Sequence, residues 1–358
     1  MEYKQEQLVL SKVGSDYKYN RSSSMECENL KTKLAKIYNS KYCLVTSSGM
    51  NAISCCLNGI LFGSKEKFNI IYGNELYCDT PRLFNYMVNI YNNVNLFKFD
   101  VTNGDEIENI FSNQVNEQNN ILFIESCSNP NGYIFDFSLI QKLKSLSKLL
   151  YVVVDNTWLS NIIFNPLEKE ADFVIISLTK YYSGGEAIAG AILSNKKEME
   201  FIENYARIMG NHVSPFNCSI INSNIDTMRE RLINSFSLTK QVLDYLKTQP
   251  KFHDLCHPLL ENHKSYKYAI DYFNKINGEN IGPSVLTFKV KISKNKILKI
   301  FKKCKQIEHK TSFGAKMSRT DPWPYKENDL IVCRLAIGYQ DTFDNIIEGL
   351  EEIFSKIN

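Results

Sequence analysis

The chain lacks a long apolar run, and none of its hydrophobic segments approaches the roughly 20 residues that a membrane-spanning helix requires. We therefore expect no membrane among its partners. The opening segment, MEYKQEQLVLSK, is too polar for a secretory signal peptide. A cytoplasmic location is the corresponding expectation.

Clustered metal-binding cysteines are also absent from the sequence. The ten cysteines are scattered apart from the adjacent Cys55 and Cys56, and they form no CxxC pair and no Cys/His cluster of the kind that binds zinc. We therefore expect no metal site, and we expect thiols that serve packing in a reducing compartment.

Neither sign of charge is in clear excess. The chain has 42 lysines and arginines against 39 aspartates and glutamates, a formal net charge of +3. A nucleic-acid-binding surface needs a concentration of basic side chains, which this composition does not offer. We therefore expect no nucleic-acid partner.

What the sequence does contain is the composition and periodicity of a globular α/β protein. Its 358 residues are 44% hydrophobic and 23% charged, which is enough to bury a large core. From about residue 40 to 195, short apolar runs alternate with helical patterns such as 79–91 and 138–148. The runs are NIIYG, NVNLFKF, NILFIES, LLYVVVD, DFVIIS and AIAGAILS. This alternation predicts a mostly parallel sheet covered by helices on both faces.

The order of elements changes in the last third of the chain. A polar stretch from 196 to 248 has helical spacing and stops at Gln249–Pro250. Beyond it, SVLTFKVKI and LIVCRLAIG have the periodicity of strands, and KILKIFKKCK and TFDNIIEGLEEIF that of helices. We therefore predict an N-terminal arm and first helix at 1–40, a large domain at 41–240 and a small C-terminal α+β domain at 241–358.

Two ionisable residues follow neighbouring apolar runs near the middle of the chain. Asp155 ends YVVVD, and Lys180 follows FVIISLT. In open α/β sheets, ligands bind beyond the carboxyl ends of the strands. A pyridoxal phosphate site needs an amine that bonds the cofactor's aldehyde and a carboxylate that keeps its pyridine nitrogen protonated. Lys180 and Asp155 fit these roles, although either residue alone is more typical of a turn, a helix cap or a solvated strand end.

Residues suited to a phosphate accompany this pair. Ser177 and Thr179 lie next to the lysine and have hydroxyl groups that can bind a phosphate. In VTSSGMNAI at 45–53, small residues and a glycine precede a helical pattern. A helix N-terminus presents unpaired amides and a partial positive charge, which favour an anion, although serine is also a routine helix cap.

The segment DNTW followed by SLTKYYSGG resembles the paired signature of the cysteine and methionine metabolism family of pyridoxal phosphate enzymes. The resemblance extends over nearly the whole chain. It implies the type I pyridoxal phosphate (aspartate aminotransferase-like) fold, the cofactor pyridoxal 5'-phosphate and an amino-acid substrate. Lys180 would then bind the cofactor and move protons of the substrate, and Asp155 would keep the cofactor ring electron-poor.

The resemblance implies further contacts to the cofactor. Gly49 and Met50 match the phosphate-binding turn of the family through their backbone amides. Tyr77 matches the tyrosine that stacks on the cofactor ring and takes part in proton transfer. Asn129, in ESCSNPNG, would hydrogen-bond the phenolic oxygen of the cofactor or the carboxylate of the substrate.

Two segments of the small domain resemble the substrate-binding parts of the family. TSFGAKMS is similar to its substrate loop and places Ser312 there, and VCRLAIG is similar to its arginine strand. Arg334 lies inside that apolar pattern, where an unpaired guanidinium would be costly. The α-carboxylate of an amino acid would pair with it through two parallel hydrogen bonds.

The start of the chain resembles a Tyr-x-Arg element that reaches the phosphate of a neighbouring subunit. Tyr19 and Arg21, in YKYNRSS, match it, whereas the segment alone would be a flexible basic start. The resemblance therefore implies a homodimer or homotetramer with shared active sites.

The resemblance implies elimination or replacement at the β or γ carbon of sulfur-containing or O-acyl amino acids, the chemistry of cystathionine γ-synthases and lyases. Both reactions use the same residues, so both stay open. Departures from the family at Cys78–Asp79 and Gly185–Glu186 favour an alternative, the same cofactor chemistry in a specialised natural-product pathway. Another alternative is a catalytically degenerate scaffold protein, which would have no use for Asp155, Lys180 and Arg334 together.

Overall fold

The structure is a computed structural model, and it describes residues 23–62, 66–250, 253–327 and 330–357. Tyr19 and Arg21 lie outside the described residues, so the predicted contact to a neighbouring subunit stays a prediction.

Seven strands form the large sheet, and helices connect most of them. The strands are β1 (Tyr42–Thr46), β2 (Phe68–Gly73), β3 (Val94–Phe99), β4 (Asn119–Glu125), β5 (Leu149–Asp155), β6 (Phe173–Ser177) and β7 (Gly190–Ser194). The α-helices of this part are α1 (Met25–Tyr38), α2 (Gly49–Leu61), α3 (Thr80–Ile90), α4 (Gly104–Asn113), α5 (Ile140–Ser145), α6 (Ser160–Ile163), α7 (Met199–Ile208), α8 (Pro215–Asn224) and α9 (Met228–Lys247). Short 3-10 helices lie at Phe137–Leu139, Pro166–Lys169 and Ile225–Thr227.

The large sheet is mostly parallel, as predicted. Its strand order is β1-β7-β6-β5-β4-β2-β3, and only β7 runs antiparallel to its neighbours among the described strands. The exception has a physical reason. Segment 178–189, which joins β6 to β7, contains no helix. Without a crossover helix the chain returns beside the strand it has just left, which gives antiparallel pairing.

Both faces of the large sheet are covered. Val152 and Val154 belong to one hydrophobic core, whereas Val153 between them belongs to a second core on the opposite face. This alternation follows from the pleat of a strand, whose successive side chains point to opposite faces. A continuous apolar run in the sequence therefore corresponds to a strand buried on both sides.

A smaller sheet and its helices follow α9. The elements are β8 (His253–Cys256), α10 (Tyr266–Tyr272), β9 (Lys275–Ile276), β10 (Glu279–Asn280), β11 (Val285–Val290), α11 (Lys294–Phe301), β12 (Glu308–His309), β13 (Arg319–Glu327), β14 (Leu330–Ala336) and α12 (Phe343–Ser355). The five-stranded sheet has the order β12-β13-β14-β11-β8, with only the β12–β13 pair parallel, and β9 and β10 pair separately. The α+β character predicted for this part is therefore present.

Helix α9 links the two parts of the molecule. Leu232 and Phe236 pack into the first core of the large sheet, whereas Val242 and Leu246 pack into a third core beneath the small sheet. The predicted boundary near residue 240 falls within this helix and stays a prediction.

Across the described ranges, the structure contains no helix that combines the length and the apolar character needed to cross a bilayer. The cytoplasmic location stays a prediction.

Candidate active site

A cavity of about 200 Å³ opens at the carboxyl edge of the large sheet. The register aligns Glu125 of β4 with Asp155 of β5, and β6 ends nearby at Ser177. Because these parallel strands end at the same edge, their last side chains come together. Arg334, from β14 of the small sheet, lines the same cavity. The cavity therefore lies between the two parts of the molecule.

Lys180 lies in the loop that follows β6. Its Nζ donates a hydrogen bond to Oγ of Ser312 at 2.9 Å and lies 5.3 Å from the ring centre of Phe313. Burial lowers the pKa of Lys180 to about 8, and the positive charges of Arg334 and Arg319 act in the same direction. A larger share of this amine is therefore neutral at a given pH than for an ordinary lysine, and the neutral amine is the nucleophilic form.

Asp155 is held in place by the turn that follows it. The amide of Thr157 donates to Oδ1 of Asp155 at 2.9 Å, and the hydroxyl oxygen of Thr157 accepts the amide of Ser177 at 2.8 Å. Burial raises the pKa of Asp155, while the bonds from Thr157 and the charge of Lys180 oppose that shift. Asp155 is therefore a carboxylate of increased basicity at a fixed position in the cavity.

The N-terminus of α2 forms another wall of the cavity. Oγ of Ser48 accepts the amide of Asn51 at 3.1 Å, so the cap takes one of the free amides of the first turn. Gly49 and Met50 line the cavity. A Cβ at Gly49 would lie 2.8 Å from Cβ of Ser177, so only glycine lets the helix start this close to β6.

Thr179 lines the cavity and also holds the loop around the lysine. Its Oγ1 donates a hydrogen bond to the backbone oxygen of Ala189 at 3.3 Å. The same Oγ1 accepts a hydrogen bond from the amide of Ala189, also at 3.3 Å. The hydroxyl therefore ties the start of the β6–β7 connection to its end.

Two loops on the side of β2 and β4 complete the cavity. The side chain of Tyr77 is 42% exposed and lines the cavity, and its amide donates to Oε1 of Glu125 at 2.5 Å. Asn129 is buried, and its Oδ1 accepts a hydrogen bond from Nη1 of Arg334 at 3.1 Å.

Arg334 is only 5% exposed although it carries a charge. Besides Asn129, it donates from Nη2 to the backbone oxygen of Thr311, and its guanidinium lies 5.2 Å from the ring centre of Trp323. Burial lowers the pKa of Arg334, while the negative charges of Asp321 and Glu125 oppose the shift. The guanidinium is thus positioned at the cavity by neutral acceptors and an aromatic face.

All of the predicted site residues within the described ranges come together. Those that line the cavity are Gly49, Met50, Tyr77, Asn129, Asp155, Ser177, Thr179, Lys180 and Arg334. Ser312 contacts the lysine amine directly. The individual roles assigned to these residues stay predictions.

The structure adds residues for which the sequence predicted no role. Glu125, Thr157, Trp158 and Phe313 also line the cavity. Glu125 ends the run NILFIE just as Asp155 ends YVVVD, so the same signal was present in the sequence. Burial strongly raises the pKa of Glu125, and the neighbouring charge of Asp155 raises it further.

The cavity fits pyridoxal phosphate in its donor set. An amine of lowered pKa and a fixed carboxylate lie on neighbouring strand ends, and a helix N-terminus with glycine at its first position lies beside Ser177. These are the groups that an aldehyde, a pyridine nitrogen and a phosphate would need.

Comparison with known proteins agrees with this geometry. The family described as "Cys/Met metabolism PLP-dependent enzyme" matches residues 2–323, where PLP is pyridoxal 5'-phosphate. The chain belongs to this family. It is therefore a pyridoxal phosphate-dependent enzyme, of the carbon–sulfur lyase or γ-replacement type found among the Cys/Met metabolism enzymes.

Similar proteins in this family have different names. The chain is 29% identical over 342 residues to a cystathionine beta-lyase from Schizosaccharomyces pombe. This alignment covers 94% of the chain and 83% of that protein. The chain is also 28% identical over 257 residues to an L-methionine gamma-lyase from Fusobacterium nucleatum subsp. polymorphum, covering 71% of the chain and 63% of that protein.

The fold is shared with solved structures of the same kind. One is a cystathionine gamma synthase from Xanthomonas oryzae pv. oryzae in complex with aminoacrylate and cysteine, with a TM-score of 0.84 and 21% identity. The match covers 98% of the chain and 91% of that structure. At this identity it shows the type I fold alone.

Proposed function

We propose that the chain catalyses elimination or replacement at the β or γ carbon of sulfur-containing or O-acyl amino acids, as cystathionine γ-synthases and lyases do. The observation behind the proposal is that one cavity contains Asp155 from the end of β5, Lys180 from the loop after β6 and Arg334 from β14 of the small sheet. These residues supply an amine, a carboxylate and a guanidinium, which is what an amino-acid substrate and the cofactor need together.

Each side chain has a distinct task in this proposal. Lys180 would hold the cofactor through its amine and, once free, would move protons at the α and β carbons of the substrate, for which an amine with a pKa of about 8 is suited. Asp155 would keep the pyridine nitrogen protonated through its negative charge, and the bonds from Thr157 and the charge of Lys180 favour that charged form against the burial that raises the pKa of Asp155. The bound cofactor supplies an electron sink for the carbon that loses a proton.

The remaining contacts hold the cofactor. Tyr77 would stack on the ring, and Asn129 would bond its phenolic oxygen or the substrate carboxylate. The amides of Gly49 and Met50 and the hydroxyl groups of Ser177 and Thr179 would bind the phosphate, and all four residues line the cavity.

Arg334 and Ser312 bind the substrate. The guanidinium of Arg334 is 5% exposed, and its hydrogen-bond acceptors among the described residues are the uncharged Asn129 and Thr311. An incoming α-carboxylate would supply the opposite charge. Ser312 accepts a hydrogen bond from the amine of Lys180 at 2.9 Å, so its hydroxyl lies beside the group that the substrate amine would approach.

The same reasoning leads us to propose self-association. Tyr19 and Arg21 would complete the phosphate site of a neighbouring subunit in a homodimer or homotetramer. On the described surface, Phe62, Phe201 and Ile208 are 62%, 66% and 60% exposed, and a contact between subunits at these side chains would remove apolar area from water.

The decisive test is incubation of the purified holoenzyme with cystathionine, methionine, cysteine and an O-acylhomoserine. We expect keto acid, ammonia or a thiol to form with at least one of them, and Lys180→Ala to abolish both turnover and the visible absorbance band of the bound cofactor. Keto acid and ammonia without a second nucleophile indicate elimination, and a new thioether indicates replacement. A wild-type protein that stays colourless with pyridoxal phosphate would contradict the proposal.

A further inference from the structure

Two loops at the cavity leave neighbouring strands of the large sheet. The loop 74–79 follows β2 and contains Tyr77, and the loop 126–131 follows β4 and contains Asn129. Because β2 and β4 pair directly in parallel register, these loops emerge side by side. Each contributes one of the side chains that the proposed function places on the cofactor.

Glu125, the last residue of β4, holds the loop that follows β2. Its Oε1 accepts the backbone amide of Tyr77 at 2.5 Å. The side chain is only 6% exposed, and so the bond is shielded from water. The position of the Tyr77 backbone is thereby fixed by a carboxyl group from the other loop's strand.

Glu75, in the loop after β2, holds the loop that follows β4. Its Oε2 accepts the hydroxyl of Ser128 at 2.7 Å and the amide of Asn131 at 3.3 Å. Its Oε1 accepts Nδ2 of Asn131 at 2.6 Å. These contacts lie on both sides of Asn129, and Ser128 also accepts the amide of Tyr133 at 2.9 Å, which closes the turn.

We propose that Glu75 and Glu125 are positioning residues that form a reciprocal clasp, in which each carboxyl group holds the opposite loop and the two together set the placement of Tyr77 and Asn129. The inference rests on the proposed function, because it concerns residues of the same cavity. It adds a device that orients the residues in contact with the cofactor through hydrogen bonds between the two loops.

The two glutamates have different chemical requirements. Glu75 accepts donors on both of its oxygens, so the amide nitrogen of a glutamine would face a donor in either orientation. Glu125 accepts a single backbone amide, which the oxygen of a glutamine can also accept. Burial and the charge of Asp155 raise the pKa of Glu125, which further favours a neutral side chain at this position.

The test compares Glu75→Gln, Glu125→Gln and Glu125→Ala in the full chain. We expect Glu75→Gln and Glu125→Ala to weaken pyridoxal phosphate binding by about tenfold and to change the visible circular dichroism of the bound cofactor, because each loses a hydrogen bond to a carboxyl group. Glu125→Gln should stay close to wild type, within about threefold, because it retains that bond. Glu125→Leu, which keeps most of the side-chain volume but cannot accept the amide, should behave like Glu125→Ala, and its comparison with Glu125→Gln separates loss of the hydrogen bond from loss of packing.

Glu106→Gln is the matched control. Oε2 of Glu106 accepts the amide of Asp100 at 2.8 Å, so it holds a loop at the same edge of the sheet, after β3, through the same type of bond. It does not line the cavity. Its substitution should leave cofactor affinity and circular dichroism unchanged.

Hydrogen exchange of the apo protein gives a readout that does not depend on the cofactor. Glu75→Gln should speed exchange in the loop 126–131, and Glu125→Ala should speed it in the loop 74–79, so that each substitution loosens the opposite loop. The clasp would be overturned if a substitution changed the exchange rate only in the loop that follows its own strand, or if the exchange rate stayed unchanged in both loops. Failure of the wild-type protein to bind pyridoxal phosphate would instead overturn the proposed function, so the two results are distinguishable.

Discussion

Lys180 lies in an environment that lowers its pKa below that of a solvated lysine. Burial is the largest cause of its lowered pKa, and the charges of Arg334 and Arg319 follow. The structure thus favours the neutral amine through desolvation and like charge, which are general means of activating a lysine nucleophile.

We predict that attachment of pyridoxal phosphate to the apo protein follows the titration of Lys180. With its pKa at about 8, the reactive neutral fraction should rise about tenfold between pH 7 and pH 9 and then level off. An ordinary lysine would give about a hundredfold rise over the same interval without levelling. Stopped-flow absorbance measures the rate constant, and a rate still rising tenfold per pH unit above pH 9 would refute the prediction.

Arg334→Gln provides the control for the cause of this shift. Removal of a positive charge should raise the pKa of Lys180, so the midpoint of the rate profile should move to higher pH. The movement should be partial, because burial is the larger cause and is unaffected.

Single residues differ in how well the sequence predicted them. Asp155 and Lys180 were predictable because an apolar run shows where a strand ends, and chemistry shows what an amine and a carboxylate can do there. The task of Glu125 was not, because it depends on a bond to the amide of Tyr77, a residue 48 positions away in the chain. A local sequence pattern does not reveal a contact between residues so far apart in the chain.

Among the elements, helix α2 begins in close contact with the end of β6 at the cavity. Its first residue, Gly49, packs against the end of β6, where a Cβ would lie 2.8 Å from Cβ of Ser177. The close approach brings the free amides of the helix to the hydroxyl of Ser177, which is the arrangement a phosphate needs.

Gly49→Ala should therefore weaken binding of the cofactor's phosphate. The added methyl group would push the start of α2 away from β6, and we expect an affinity loss of about tenfold for pyridoxal 5'-phosphate, the size of one charge-assisted hydrogen bond. Binding of pyridoxal, which has no phosphate, should change little. Equal losses for both compounds, measured by absorbance titration, would show that the helix start does not bind the phosphate.

Gly104→Ala is the matched control for this substitution. Gly104 is likewise the first residue of a helix, α4, but its Cβ would lie 3.4 Å from Cδ1 of Leu139, an ordinary contact. We expect unchanged affinity for the cofactor and a change in unfolding free energy of no more than about 1 kcal/mol.

The sequence predicted most strands of the large sheet, but it did not predict β13. That strand has the sequence RTDPWPYKE, whose prolines and charges are unfavourable in a strand interior. The structure tolerates them because the pairing with β14 shifts register between Pro322 and Lys326, and β12 covers the other side for only two residues. The neighbouring strands, not local propensity, define this element.

At the scale of the whole molecule, the division into two parts depends on one continuous helix. Because α9 contributes Phe236 to one core and Val242 to another, its periodicity shows no break at the point where the packing partner changes. We propose that the boundary between large and small domains lies within this helix, near residue 240. The cavity between the two sheets then lies where movement of the small domain can open or close it.

The proposed sharing of sites between subunits leads to a complementation experiment. If Arg21 of one subunit binds the phosphate held at Lys180 of the other, a mixed dimer of Lys180→Ala and Arg21→Ala chains has one complete site. Random pairing makes half of the dimers mixed, so retained cofactor should recover to about one quarter of wild type after gel filtration. Arg21→Ala alone should lose its cofactor, and Lys180→Ala alone should have no visible band.

The control pairs Arg21→Ala with the double variant Arg21→Ala/Lys180→Ala, which supplies no arginine and should show no recovery. If the mixed Lys180→Ala and Arg21→Ala sample also shows no recovery although the chains associate, then Arg21 does not complete the site of a neighbour.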